Sequence, residues 1–342
     1  MTAARHAAPR LTVGIPTRQR LALLREAVAA ALAQTNLARA DEVEVLISQD
    51  VFPATGPDAA LLAWCREAAA DGRIRHQVAP RPLGLAGNWN AVIAAARGEF
   101  VVIPGDDDRL LPEFAATLLA AADAHGADVV FSDHFVMNSA GERDEAATDE
   151  RTRQFARATL PPGPVAPAEP WLWRNAVPML SALVRTDFAR RFPFHEDLNT
   201  PELEFFLRLA QAGASFVFVP ARLAEYRLHD AAATAAGLWS DRLARRLLAL
   251  PAGQPAAQEA KTTFLRGLLP NAVSRALARG DKRLAREFLE SKYYPRDASR
   301  LSAWALRFCA ALPGSAARSL RRVMCAARDW RKERRGQQRP SL

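Results

Sequence analysis

The sequence has little cysteine: Cys65, Cys309 and Cys325 among 342 residues. They are odd in number, scattered and without metal-site spacing. That pattern excludes a disulfide scaffold and a thiolate zinc site, and it fits a reducing compartment. No uncharged apolar run approaches 18 residues, so no transmembrane helix is expected. The first ten residues, ending Ala7-Ala8-Pro9-Arg10, hold no apolar run of signal-peptide length. A Gly-x-Gly-x-x-Gly turn is missing, and so is a Gly-Lys-Ser/Thr phosphate loop. An ordinary dehydrogenase or ATPase is therefore not expected. No internal repeat is visible. What remains is a chain of ordinary composition, 49% hydrophobic and 24% charged, with ample length to bury a core in a cytoplasmic setting.

Charge is unevenly spread. Residues 241–342 hold 23 of the 46 Lys and Arg but only 8 of the 37 Asp and Glu. The tail therefore carries +15 and the remainder −6. A basic tail suits an anionic partner such as a membrane surface, and a solvated set of helix faces explains it equally well. Trp304 to Phe308 and Arg318 to Trp330 read as basic amphipathic helices suited to peripheral docking at the inner membrane face. The end of the chain and residues 1–9 read as disordered.

The first 135 residues alternate strand and helix. Leu11 to Pro16, Val43 to Ser48, Ile74 to Val78, Phe100 to Pro104 and Asp128 to Asp133 read as strands. Helices are expected from Leu21 to Leu32, over 57–70, from Asn88 to Ala96 and from Pro112 to His125. This alternation predicts a mainly parallel sheet with helices on both faces. The pattern then loosens: residues 138–170, with an acidic run and Pro161-Pro162-Gly163-Pro164, read as an excursion or loop. Thr200 and Pro201 mark a helix start, at N-cap and first turn. Ser215 to Val219 and Leu223 to Leu228 read as separate extended segments. Beyond residue 240 only helical patterns occur, broken at Pro251 to Pro255, Pro270, Pro295 and Pro313.

The chemistry centres on Gly105-Asp106-Asp107-Asp108, directly after an apolar strand. Three adjacent carboxylates repel each other and are costly to hold together without a counter-ion. A divalent cation carrying phosphates would supply one, and a solvated acidic turn before a helix is the plainer alternative. Strand ends at Thr17, at Gln49-Asp50 and at the acid triplet should lie along one sheet edge, where open α/β sheets bind ligands.

Gly14-Ile15-Pro16-Thr17, Leu83 to Asn90, Gly98-Glu99-Phe100 and Gly105 to Asp108, in this order, resemble the family 2 glycosyltransferases, over residues 10 to 230. The resemblance implies an inverting enzyme of the GT-A fold: a Rossmann-like, mainly parallel α/β sheet followed here by a helical C-terminal region. It implies a GT-A domain over 10–238, with a nucleotide-sugar half (10–135) and an acceptor half (136–238), and a basic helical extension over 239–342. Asp106 and Asp108 match the metal-binding Asp-x-Asp, with Asp107 between them, for Mn²⁺ or Mg²⁺ acting as a Lewis acid on the leaving diphosphate. Thr17, Arg20, Gln49, Asp50, Asn88 and Asn90 match donor-site positions. Gln49 stands where the family commonly has the base-reading acid, with Asp50 after it; either Asn could equally cap the helix. His229 in Tyr226-Arg227-Leu228-His229 matches a segment approaching metal or diphosphate, and Arg227 could instead neutralise phosphate.

An inverting transferase needs a base for the acceptor hydroxyl. The resemblance places it at Glu202, with Asp197 of Glu196-Asp197 second and Glu204 third; Glu202 would also simply suit a first helical turn. Trp89, Trp171 and Trp173 are candidates for sugar stacking or core packing. The implied partners are a nucleotide-diphosphate sugar, UDP-linked by preference, and a saccharide or lipid-linked acceptor in bacterial surface polysaccharide or glycolipid synthesis. Two other classes stand beside this. A nucleotidyltransferase would need a Gly-rich loop where Thr17-Arg18-Gln19-Arg20 stands. A nucleic-acid-binding protein with a degenerate transferase body would need an aromatic-basic reading module, and none is visible.

Overall fold

The computed structural model describes residues 8–39, 41–228 and 238–295. In chain order, β1 (Leu11–Thr17), α1 (Leu21–Leu32), β2 (Val43–Gln49), α2 (Ala59–Ala68), β3 (Ile74–Val78), α3 (Gly84–Ala95) and β4 (Phe100–Val102) build the first half. Leu11, Val13 and Ile15 of β1 and Val45 and Ile47 of β2 are fully or almost fully buried. These residues line one face of their strands; Thr12 and Leu46 on the other face are equally buried, so the sheet is covered on both faces. Leu24, Ala27, Val28 and Ala31 form the buried stripe of α1 at helical spacing.

There follow β5 (Arg109–Leu110), α4 (Phe114–His125), β6 (Val129–Met137), α5 (Glu145–Gln154), β7 (Gly163–Pro164), α6 (Glu169–Leu172), β8 (Ala182–Arg185), α7 (Thr186–Arg191), α8 (Glu202–Gln211) and β9 (Phe216–Arg227). The strands join in one sheet, in the order β3-β2-β1-β4-β8-β6-β9-β5, with β7 paired to β9. The pairs β1–β2, β2–β3 and β1–β4 are parallel, as expected. Beyond β4 the sheet is mixed: β8 runs antiparallel to both neighbours, while β6 and β9 are parallel.

Several expectations need correction. Residues 145–154 form a helix, because Asp144 caps it by accepting from Ala147 N and basic residues close its last turn. Helix α3 begins at Gly84, so Asn88 and Asn90 lie inside it and cannot be its caps. The two segments after Ser215 are one strand, continuous from Phe216 through Pro220, with a shifted register against β6. Thr200 does not cap α8; Pro201 occupies that position and no side chain caps it.

Two compact units divide the chain, Met1–Leu238 with Gln254–Ala257 and Trp239–Gly253 with Gln258–Leu342. The second unit contains α9 (Ser240–Ala249), most of α10 (Pro255–Ala278) and α11 (Lys282–Glu290). Helix α10 is not broken at Pro270. Proline removes one backbone donor, and the buried Leu268, Leu269, Ala272 and Val273 around it hold the helix by packing. Tail residues 296–342, with their expected amphipathic helices, lie outside the described residues.

Candidate active site

Strand β4 sits between β1 and β8, so the loop after it emerges beside the end of β1. Gly98 permits the approach. A Cβ there would stand 2.5 Å from Thr12 N, and Thr12 Oγ1 accepts from Gly98 N at 2.8 Å. Gly105 is required for a related reason: a Cβ there would lie 2.4 Å from Asp107 Oδ1 and 2.9 Å from Asp108 Oδ2. The carboxylates fold back over that glycine.

The triplet and the first strand end do meet. Thr17 Oγ1 donates to Asp106 Oδ2 at 2.6 Å. Arg20, just before α1, pairs with Asp106 and reaches Asp107 Oδ2 at 2.6 Å. Asp108 accepts from Gly105 N at 2.9 Å and from Arg227 N at 3.2 Å. Burial raises the pKa of Asp106 against the pull of Arg20 and Thr17. Burial, reinforced by Asp107, pushes Asp108 up to about 7. These groups are therefore short of positive charge.

Hard oxygen donors of this kind fit Mg²⁺ or Mn²⁺. Among the described residues no three His, Cys, Asp or Glu side chains converge on one point as a cage. Such ions are commonly held by one or two carboxylates together with substrate phosphates, so a full protein cage is not needed. Asp106 and Asp108 would hold the ion. His229 lies outside the described residues.

The remaining candidates do different work. Asp50 is buried and accepts from Val51 N at 2.9 Å, Leu83 N at 2.8 Å and Gly84 N at 3.1 Å. It ties the end of β2 to the start of α3. Gln49 donates to Asp58 O at 3.1 Å and faces His76 Nε2 at 3.2 Å. Asn88 bridges the ends of β2 and β1: its Oδ1 accepts from Ser48 Oγ at 2.6 Å, and its Nδ2 donates to Ser48 O at 3.0 Å and to Thr17 O at 3.5 Å. Asn90 pairs with the backbone of Phe194 in both directions, at 2.8 and 2.9 Å. Trp89 packs edge-on to Phe194 with ring centroids 5.1 Å apart, and Trp173 is buried in the core.

Arg227 is not open to phosphate. Its Nε donates to Asp107 O at 2.9 Å, Nη1 to Ser139 O at 3.1 Å and Nη2 to Glu26 Oε2 at 2.7 Å. Glu202 begins α8, and burial raises its pKa. Tyr226 links it to the triplet: burial first, then Asp108, Asp107 and Glu202 raise the phenol's pKa, while Arg151 opposes them. Glu204 is buried and accepts from Arg208 Nε at 2.8 Å, with His195 Nε2 at 3.2 Å. The Glu196 carboxyl lies 3.5 Å from where a Cβ on Gly87 would sit. Sequence reasoning passed over Tyr226 as a site residue and Arg151 altogether. Both depend on α5 and β9 meeting, and no local pattern encodes that.

Residues 12–169 match Glycosyl transferase family 2. No curated protein sequence matches the chain. Among solved structures, residues 1–349 of TarS from S. aureus, in complex with UDP-GlcNAc, superpose with a TM-score of 0.61 at 14% identity, over 94% of this chain and 92% of that one. The mannosyltransferase PcManGT from Pyrobaculum calidifontis, in complex with GDP-Man and Mn²⁺, gives 0.55 at 17% identity, over 94% and 86%. At these identities the likeness concerns the fold. Fold and family agree: the chain carries a family 2 glycosyltransferase domain on a GT-A fold, and it is a glycosyltransferase.

Proposed function

We propose that the protein moves a sugar from a nucleotide-diphosphate donor to a hydroxyl of a saccharide or lipid-linked acceptor, with inversion, as part of surface polysaccharide or glycolipid synthesis. The transferase domain is residues 10–238, and 239–342 is an extension. The observation that carries this is the acid triplet at the end of β4, with Asp106 and Asp108 buried, fastened to Thr17 and Arg20. Asp106 and Asp108 would hold a divalent cation there, which would supply charge neutralisation for the donor's phosphates and Lewis-acid assistance to the leaving diphosphate. UDP-GlcNAc in TarS, and GDP-Man with Mn²⁺ in PcManGT, support a donor of this class.

In this reading Asp50, Asn88 and Asn90 shape the donor side by holding strand ends and the loop at Phe194. Arg20 is the resident counter-ion of Asp106 and Asp107. Glu202 takes the proton of the acceptor hydroxyl, and burial raises its pKa, which strengthens it as a proton acceptor.

The test is a thermal-shift panel of UDP, GDP and their sugars, with and without Mn²⁺, since a ligand that binds the folded state raises its stability. A nucleotide diphosphate should raise the melting temperature only with the metal, and Asp108→Ala should lose that rise. Metal-dependent binding by folded Asp108→Ala would overturn the assignment.

A further inference from the structure

Tyr226 stands next to Arg227, whose main-chain N–H holds Asp108, and its buried phenol feels the charges of Asp108 and Asp107. Over that ring lies Arg151 of α5, its guanidinium carbon 5.1 Å from the Tyr226 centroid and 5.3 Å from that of Phe155. The arginines nearby are paired. Arg157 Nε donates to Asp133 at 2.6 Å, Arg222 meets Asp149 at 2.5 Å and Glu145 at 3.5 Å, and Arg153 meets Glu150 at 3.1 Å. Arg151 is half-buried, and no described carboxylate lies within ion-pair distance of it.

The ground around Arg151 is also short of acceptors. Arg157 Nη2 and His134 Nδ1 are buried with no hydrogen-bond partner among the described residues. The His134 ring lies 6.0 Å from that of Tyr226. Burial and the neighbouring arginines, Arg157 foremost, hold His134 neutral, with its pKa down at about 3. Asp133 is taken up by Arg157 and by Thr152, whose Oγ1 donates at 2.6 Å. A guanidinium stacked on two aromatic rings is fixed in place with its donors still available, which is the arrangement that captures a phosphate or carboxylate.

We propose that Arg151, seated on Tyr226 and Phe155, binds an anionic group of the acceptor, a phosphate or carboxylate near the hydroxyl that is glycosylated. This rests on the sugar-transfer reading. The subsite lies in the half of the domain read as the acceptor side, and the Tyr226 ring beneath Arg151 feels the charges of Asp108, Asp107 and Glu202. It selects acidic acceptors: a neutral saccharide leaves the Arg151 charge uncompensated, and an acidic one fills the shortage.

The experiment is calorimetric titration of the full chain with glucose 6-phosphate, glucuronate and glucose. Each is run in the presence of saturating UDP or GDP with Mn²⁺, so that the donor's phosphate positions are filled, and again without nucleotide. At least one acidic sugar should bind roughly tenfold or more tightly than glucose, the order expected for a charge-assisted hydrogen bond. Which of the two does so separates phosphate from carboxylate. Arg151→Gln should abolish the preference, Arg151→Lys should keep part of it, and Arg153→Gln should leave it intact. Equal binding of charged and neutral sugars, or a preference that survives Arg151→Gln, overturns the subsite. A loss of nucleotide affinity in Arg151→Gln with the sugar preference intact assigns Arg151 to the donor and also overturns it. If no nucleotide binds at all, the sugar-transfer reading fails, while the nucleotide-free titrations still decide whether Arg151 binds anions.

Discussion

The main-chain N–H of Arg227 donates to Oδ1 of Asp108 at 3.2 Å, across 119 positions of sequence. The same residue fixes Asp107 through its side chain, at 2.9 Å to the main-chain oxygen. The end of β9 thus holds the acid triplet from one side while Thr17 and Arg20 hold it from the other. The triplet is rigid because long-range contacts meet on it.

Arg227→Lys should therefore act on nucleotide binding without touching a ligand itself. Lysine keeps the charge but cannot serve Asp107 O, Ser139 O and Glu26 together. We expect Mn²⁺-dependent nucleotide affinity to fall by at least tenfold. Stability in urea should fall by about 1–3 kcal/mol, the scale for leaving a buried acceptor without its donor. Full nucleotide affinity in the variant would mean that the triplet keeps its shape without this clamp.

For the base, Glu202→Gln should leave donor binding unchanged and lower transfer by about 10³, within the range for general base catalysis. The control is Glu204→Gln. Glu204 is bonded to Arg208 and faces His195, so its loss should lower stability first. Unchanged turnover in Glu202→Gln would move the role to Asp197 or Glu204, and steady-state kinetics on Glu202→Gln, Asp197→Asn and Glu204→Gln decides it.

The parts legible in the sequence were those set by neighbours in the chain. Strands β1 to β3 and helix α1 follow from apolar periodicity and from Gly and Pro punctuation, and the triplet could be read because its residues are adjacent. The acidic stretch 145–154 looked like a loop because its apolar content is low; its cap at Asp144 and its charged last turn carry it instead. The partners of Asn90, Asp50 and Arg227 are 104, 34 and up to 201 residues away. Their roles come from topology. Arg151 gave no local signal, since a lone Arg beside Thr152 and Arg153 reads as surface.

Gly14, in the first motif, faces α3. A Cβ there would come 2.0 Å from Val92 Cγ1. Gly14→Ala should destabilise the protein by about 1–3 kcal/mol, the range for overpacking a core. Val92→Ala should cost stability alone by opening a cavity, yet in combination with Gly14→Ala the two losses should be less than additive. A double-mutant cycle in urea measures this coupling, and strict additivity would show that α3 shifts as a body.

His134 supplies a pH prediction with a definite sign. Burial, and Arg157 next, hold its folded-state pKa at about 3, while the unfolded chain binds the proton near the ordinary value of 6.5. Between these values the unfolded state holds more protons, so stability falls as pH drops below 6.5 and keeps falling until pH approaches 3. Between pH 7 and pH 5 the loss from this group alone should be about 2 kcal/mol. Asp133 works in the same direction, because Arg157, Thr152 and the His134 backbone outweigh its burial and lower its pKa. Its contribution comes only below the ordinary carboxylate range. Asp108, held at about 7, titrates inside the pH 5–7 window with the opposite sign, and Asp106 and Glu202 are shifted the same way; these groups contribute equally to wild type and variant. His76 is also held low, by burial and Arg66, and contributes equally to wild type and variant. The comparison is therefore the slope of unfolding free energy against pH in wild type and in His134→Gln. The variant should have the shallower slope whatever its absolute stability. Parallel slopes would mean that His134 takes up its proton in the folded state, with Asp133 drawn away from Arg157 to receive it.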